Sequence, residues 1–254
     1  ALPLYFLMGE ALSKSGVGGD IYEGLERWLH RVPGGLAIAS IFACALFGAM
    51  CGVSIAGVAA IGIVAVPEML KRGYNRRLDA GSVTASGALA VLIPPSISFI
   101  IYGALSGVSV GKLFIGGIIP GILLAIMMAI YVLLRVIKNP SLAPQPKMEF
   151  TRKEMLLPLI RLWPALVLIF CVLGTIYTGI CTPTEAGALG ATGALFVAGI
   201  KKKLNIKTFS EILFIDFQCL FTQSLPLLNG QGLSTAHEIY ACGCQQCFCF
   251  CGFD

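Results

Sequence analysis

Between Arg31 and Glu68 the chain runs for 36 residues, Val32 to Pro67, without a charged side chain. One helical crossing of a bilayer needs about 20 such residues, and two crossings joined by a turn need more than about 40. The run is therefore too long for one crossing and too short for two. Its middle reads Gly48-Ala49-Met50-Cys51-Gly52-Val53-Ser54-Ile55-Ala56-Gly57. Small residues at the centre fit a re-entrant helical hairpin over residues 32–70, with its tip near the membrane midplane. Irregular backbone survives at that depth only where protein or a water-filled cavity satisfies its polar groups.

The rest of the chain supports a membrane setting. Charged residues make up 12% of the 254 positions, about half the share found in soluble domains. That excludes an ordinary soluble enzyme. The 30 glycines and 13 prolines follow no Gly-X-Y period, so collagen is excluded and helices that pack closely or break are expected. The expectation is an all-α polytopic membrane protein. Ala1 to Gly9 is already apolar, with no initiator Met and no signal-peptide pattern, so truncation at the N-terminus is expected.

Residues 1–31 read as the end of a transmembrane helix and an amphipathic connection. Residues 71–111 contain a second uncharged run, Ala80 to Gly111, interrupted by Leu92-Ile93-Pro94-Pro95-Ser96. Two adjacent prolines remove two backbone donors and push Ile93 out of the helical region, so the helix must break and restart at Pro95 or Ser96. Residues 112–134 form an ordinary transmembrane helix, and 135–161 a cytoplasmic connection. Residues 162–203 form two further membrane helices, one from Leu162 to Glu185 and one from Ala186 to Ile200. In 204–254 the helical pattern fades and Cys242, Cys244, Cys247, Cys249 and Cys251 crowd together. Their spacing is unlike a structural zinc site, and an incomplete or aberrant terminus is expected there.

Basic clusters test this topology. Arg27 with Arg31, Lys71 to Arg77, Arg135 to Arg161 and Lys201 to Lys207 all belong on the cytoplasmic side under the positive-inside bias. A re-entrant hairpin returns the chain to its starting side, and each following pair of crossings does the same. A single crossing at Val32 to Pro67 would misplace the first cluster.

Hairpin tips and broken helices expose carbonyls at one half-helix end and amides at the other, suited to Na⁺ and to an anionic substrate respectively. Gly52 and Ser54 at the tip, Pro94, Pro95 and Ser96 at the break, and the Ser86 hydroxyl are the candidate ion and substrate positions, with hydroxyls supplementing carbonyls around a hard cation. No acidic residue lies in either element, which favours sodium over proton coupling. Thr182-Pro183-Thr184-Glu185 has the pattern of a capping box, with Thr182 as cap, Pro183 first in the helix and Glu185 answering the cap. Thr182 and Thr184 are also candidate ligands. There is no HExxH, no GxSxG and no phosphate loop, and His30 and His237 are not placed as catalysts, so no enzymatic activity, cofactor or structural metal is expected.

The stretch Leu2-Pro3-Leu4-Tyr5-Phe6-Leu7-Met8-Gly9-Glu10, Gly34-Gly35-Leu36, Phe47 through Gly62, Lys71-Arg72-Gly73-Tyr74, Leu92 through Ser96, Pro120-Gly121 and Thr182 through Ala186 together resemble the large membrane subunit of tripartite ATP-independent periplasmic (TRAP) transporters, dicarboxylate type. The resemblance covers about residues 1 to 210. It implies Na⁺-coupled uptake of small organic acids, of C4-dicarboxylate or sialic-acid type, across a bacterial inner membrane. The implied partners are a small membrane permease subunit and a periplasmic solute-binding protein, and the implied fold is an elevator-type inverted-repeat transporter, here a fragment truncated at both ends. The chain departs from the family pattern at the tip, where Cys51-Gly52-Val53 replaces Ser-Gly-Ser and Gly57 stands where an Asp is common. Two other readings remain open: an elevator-type anion/Na⁺ symporter without a binding protein, and a non-transporting membrane scaffold subunit.

Overall fold

The computed structural model describes residues 2–52, 54–144 and 163–201. Val53, the connection beyond Pro144 and the expected aberrant segment 204–254 lie outside the described residues. Every regular element described is helical: α1 (Leu2–Lys14), α2 (Val17–Leu29), α3 (Gly35–Cys51), α4 (Ser54–Lys71), α5 (Arg76–Ser86), α6 (Leu89–Leu92), α7 (Ile97–Ser106), α8 (Val110–Lys138), α9 (Trp163–Tyr177) and α10 (Pro183–Ile200), with a 3₁₀ turn at Pro140–Leu142.

Helix α3 is the centre. It is apolar all round, and every residue except Phe42 and Leu46 is buried, as such a helix must be. Left-handed glycines bound it, Gly34 at φ 74° and Gly52 at φ 69°. At Gly52 the chain reverses and α4 returns along α3: the Cys44 thiol donates to the Gly57 carbonyl at 3.8 Å. Residues 35–71 are thus an antiparallel helical hairpin. A β-carbon on Gly9 would stand 2.8 Å from Cys51 Cβ, and one on Gly190 2.5 Å from Met8 Sδ. The hairpin tip therefore lies level with the middle of α10, not with either of its ends.

Asn75 caps α5 by accepting from the Arg77 amide at 2.9 Å, so this helix begins at Arg76, ahead of the uncharged run. That corrects the expectation of an acid-free broken helix, because Asp79 now lies inside α5 and is 1% exposed. A second interruption precedes the prolines. At Gly87 and Ala88 the amides bond three residues back, to the Thr84 and Ala85 carbonyls, where a β-carbon on Gly87 would meet Val58 at 2.4 Å. Helix α8 extends beyond residues 112–134 at both ends and takes in Lys112, Arg135 and Lys138, whose long stems let the charged heads reach water. The expected run from Leu162 to Glu185 divides earlier: α9 stops at Tyr177, the chain turns through Gly179 at φ 71°, and α10 starts at Pro183.

The basic clusters gather at one end. Arg72 pairs with Glu68 of α4 and Glu26 of α2, and the Asn75 amide donates to the Leu142 carbonyl at 2.9 Å. Arg27, Lys71 to Arg77 and Arg135 to Lys138 thereby share a side, while Lys201 of α10 pairs with Asp20 of α2. At the opposite end the α7–α8 loop meets the foot of α9, with Gly111 facing Ile176. Arg76–Ser106 and Val110–Lys138 are long and apolar enough to cross a membrane. Ile115, Ile119, Ile122, Ile126 and Ile130 of α8 are exposed, a continuous apolar stripe that needs a non-aqueous neighbour.

Candidate functional site

Two prolines in succession cannot continue a helix. Between the helices the chain bends through Ile93 to Pro95, with extended backbone at Ile93 (φ −81°, ψ 122°) and Ser96 (φ −117°, ψ 131°); the Pro94–Pro95 peptide is cis. This segment needs room within a packed core, and glycines on both sides provide it. On the α3 side, β-carbons added to Gly48 and Gly52 would stand 2.4 Å from Ala90 Cβ and 2.4 Å from the Pro95 carbonyl oxygen. On the α8 side, one on Gly117 would stand 2.4 Å from Phe99 and 2.7 Å from the Leu92 carbonyl, and one on Gly121 2.8 Å from Ile93. Each pair has the small-xxx-small spacing that lets helix backbones approach closely.

The tip and the break therefore meet. The Ile97 amide donates to the Gly52 carbonyl at 3.4 Å, joining the C-terminus of α3 to the N-terminus of α7. Helix α4 starts two residues beyond Gly52, and α6 ends four residues before Ser96. Helix C-termini carry partial negative charge on unpaired carbonyls and N-termini partial positive charge on unpaired amides. Half-helix ends of opposite sign thus meet at the Gly52–Ile97 hydrogen bond.

Ser96 stands at this junction. Pro94, Pro95 and Ser96 are buried, and Ser96 is 0% exposed with its Oγ lacking a hydrogen-bond partner among the described residues. Buried hydroxyls are nearly always bonded. An unmet one among helix ends is a vacant donor and acceptor. Its oxygen and the nearby carbonyls are ligands of the kind a hard cation such as Na⁺ takes, and the amide ends complement an anion.

Of the other candidates, Ser54 opens α4 beside the α5–α6 turn, its carbonyl 3.7 Å from where a Gly87 β-carbon would lie. Ser86 is fully buried but donates to the Val83 carbonyl at 2.6 Å. It faces Cys44 of α3, which lies about 10 Å along that helix from the tip. Thr182 and Thr184 are exposed at the start of α10 and are not brought to the junction. The capping box is present: Thr182 Oγ1 accepts from the Glu185 amide at 3.4 Å, and the Glu185 carboxylate accepts from the Thr182 amide at 2.7 Å. Proline occupies the first helical position.

Reading the sequence missed three things here: the two Gly-x-x-x-Gly pairs, which their spacing would have revealed; Gly9 under the tip; and Asp79, whose Oδ1 lacks a partner among the described residues. Asn75 as a helix cap was the available signal for the last.

Comparison with known proteins gives a consistent picture. Residues 1–229 match the family described as "Tripartite ATP-independent periplasmic transporter, DctM component", reaching past residue 210, where the resemblance was expected to end. A C4-dicarboxylate TRAP transporter large permease protein of Pseudomonas aeruginosa is 40% identical over 200 residues, covering 78% of this chain and 46% of that protein. An isethionate TRAP transporter permease protein of Oleidesulfovibrio alaskensis is 36% identical over 215 residues, 83% of this chain and 33% of that protein. An ectoine TRAP transporter large permease protein of Halomonas elongata is 36% identical over 188 residues, 74% of this chain and 43% of that protein. The chain spans less than half the length of these three relatives, which are named as transporter permeases and not as enzymes.

Proposed function

Because the chain belongs to the DctM-component family of tripartite ATP-independent periplasmic transporters, we propose that the junction of Gly52, Ser54 and Pro94 to Ser96 is one half of the ion and substrate site of a Na⁺-coupled permease importing small organic acids. A periplasmic binding protein delivers the substrate, a small membrane subunit completes the permease, and the bacterial inner membrane is the setting. The observation that carries this reading is the Ser96 hydroxyl, fully buried and without a partner among the described residues where the ends of α3 and α7 meet. Carbonyl ends and the serine oxygen take the cation, and amide ends take the carboxylate. The small-residue contacts on both sides of the break suit a compact hairpin and broken helix that move together as one body, and the tip's position level with the middle of α10 suits a re-entrant hairpin. Substrate type follows the relatives only in class, since their names include C4-dicarboxylate, isethionate and ectoine. A C4-dicarboxylate or sialic acid is the proposed substrate.

The energetics require more than one ion. One Na⁺ entering down 100 mV and a tenfold gradient supplies about 2.3 plus 1.4, or about 3.7 kcal/mol, enough for a roughly 500-fold gradient of a neutral solute. Inward movement of an anion works against the potential, so two or more Na⁺ per substrate are expected. Asp79, buried in α5 with an unpartnered oxygen, favours a second reading in which a proton is the coupling ion.

Uptake separates the two. Proteoliposomes holding the full-length chain with its small subunit are given a binding protein loaded with radiolabelled C4-dicarboxylate, under either a Na⁺ gradient or a pH gradient. Sodium coupling predicts accumulation only under the Na⁺ gradient. Unchanged uptake in Na⁺-free medium sinks it, and uptake driven by pH and lost in Asp79→Asn establishes the proton reading.

A further inference from the structure

Between α5 and α8 a groove of about 590 Å³ opens on the outside of the bundle. Its lining divides by chemistry. Leu124, Met128 and Tyr131 of α8 form an apolar wall, while Arg77 and Arg135 stand with Asn75 at the basic end of the molecule. Among the described residues no acidic side chain lines it, and neither guanidinium forms an ion pair. From Leu124 to Arg135 the groove follows α8 for 11 residues, about 16 Å, close to the roughly 15 Å depth of one leaflet's hydrocarbon.

We propose that this groove holds one anionic phospholipid of the cytoplasmic leaflet, its phosphate between Arg77 and Arg135 and an acyl chain along Leu124, Met128 and Tyr131. The charge pattern selects this occupant. Two unpaired guanidinium groups present planar forks of donors that match phosphate oxygens, and basic pockets between transmembrane helices on the cytoplasmic side suit acidic head groups. The apolar wall below them is about one leaflet deep, the length an acyl chain needs when its head group is held between the two guanidinium groups. Asn75 adds a side-chain amide donor at the head-group level. The inference depends on the membrane setting and on which end is cytoplasmic, not on sodium coupling or substrate identity. The groove also touches Ser82 and Ala85 of the broken helix, so a bound lipid would brace the helix that carries the Pro94–Pro95 break against α8.

Gly81 supplies an independent handle, because it lines the groove and a β-carbon there meets nothing within 4 Å. Gly81→Leu therefore fills the groove while leaving both arginines in place. The full-length chain, delipidated in detergent, is titrated with phosphatidylglycerol and with phosphatidylcholine of the same acyl chains, and bound lipid is counted by native mass spectrometry. One saturable phosphatidylglycerol is expected to bind at least tenfold tighter than phosphatidylcholine. Each of Arg77→Gln and Arg135→Gln is expected to weaken it about fivefold, the scale of one basic residue at an anionic surface, and the double variant about 25-fold. Gly81→Leu is expected to abolish that site with both charges intact. Equal binding of the two lipids, an unchanged double variant, unchanged binding in Gly81→Leu, or no binding of either lipid each overturns the proposal.

Discussion

Ser96 and Thr182 are both hydroxyl residues at the N-cap of a helix beginning beside a proline, yet their circumstances are opposite. Thr182 is exposed, and its hydroxyl and amide are both engaged with Glu185. Ser96 is 0% exposed, and its hydroxyl is engaged with nothing among the described residues. A cap whose partners come from its own first turn completes a helix, which is all that Thr182 needs to do. A buried hydroxyl left open at a meeting of helix ends lowers stability by the unmet desolvation cost, about 1–3 kcal/mol, and is retained where a ligand supplies the partner. The difference separates a completed cap from a hydroxyl left open to a ligand, although the two look alike in sequence.

The surroundings differ in the same sense. Around Ser96, Gly48, Gly52, Gly117 and Gly121 bring backbones into contact from two sides. At the start of α10 Tyr5 of α1 reaches across, its hydroxyl donating to the Pro183 carbonyl at 3.2 Å. The break region is therefore expected to tolerate no added volume, and the cap region to tolerate most changes.

The largest effect is expected for Gly52→Val. A branched side chain at φ 69° is strained, and its β-carbon would stand 2.4 Å from the Pro95 carbonyl. Strain and overpacking together cost about 3 kcal/mol. Thermal unfolding of the full-length chain in detergent should fall sharply and uptake should be lost; tolerance of valine there would dissolve the contrast between the two regions. Gly117→Val meets Phe99 and the Leu92 carbonyl and is expected to cost about 1–3 kcal/mol by the same measurement.

Ser96→Ala sharpens the comparison, because stability and function should move in opposite directions. Removing an unpartnered buried hydroxyl should leave the melting temperature unchanged or raise it by the equivalent of about 1 kcal/mol. Uptake, read in the same proteoliposomes, should fall at least tenfold. Thr182→Ala should do the reverse, costing about 1 kcal/mol as a lost cap with the substrate dependence of uptake intact.

The smallest effect concerns the basic end. Burial holds the Glu26 carboxyl above the ordinary glutamate range, and the Arg72 guanidinium pulls it back only in part. The folded chain then holds a proton on Glu26 over a pH window where the unfolded chain has lost it. The Glu26 contribution to stability is therefore full below the ordinary glutamate range and declines slightly as pH rises through that window. Glu26→Gln should flatten that slope, measured as melting temperature against pH.

Much of this was legible in the sequence because membrane helices are written in long signals. The uncharged run from Val32 to Pro67 marked α3 and α4, Pro94-Pro95 marked the break, and Thr182-Pro183-Thr184-Glu185 marked the start of α10, each through a local rule that tertiary structure does not override. What was not legible depends on distance. Nothing in Ser86 or Ser96 alone tells which one already bonds its own helix and which stays open, because that is decided by the elements packed around each. The reach of α5 back to Asp79 was hidden for a different reason. Counting uncharged residues finds the apolar span and not the helix, and here the helix starts at the Asn75 cap.

If the junction of Gly52 and Ser96 holds the coupling ion, as proposed, the Na⁺ concentration for half-maximal uptake depends on Ser96. Full-length wild-type, Ser96→Ala and Thr182→Ala chains are compared with the same small subunit and binding protein. A shift to at least tenfold higher Na⁺ is expected for Ser96→Ala and none for Thr182→Ala. An unaltered Na⁺ dependence in Ser96→Ala, or an equal shift in both variants, would contradict the proposal.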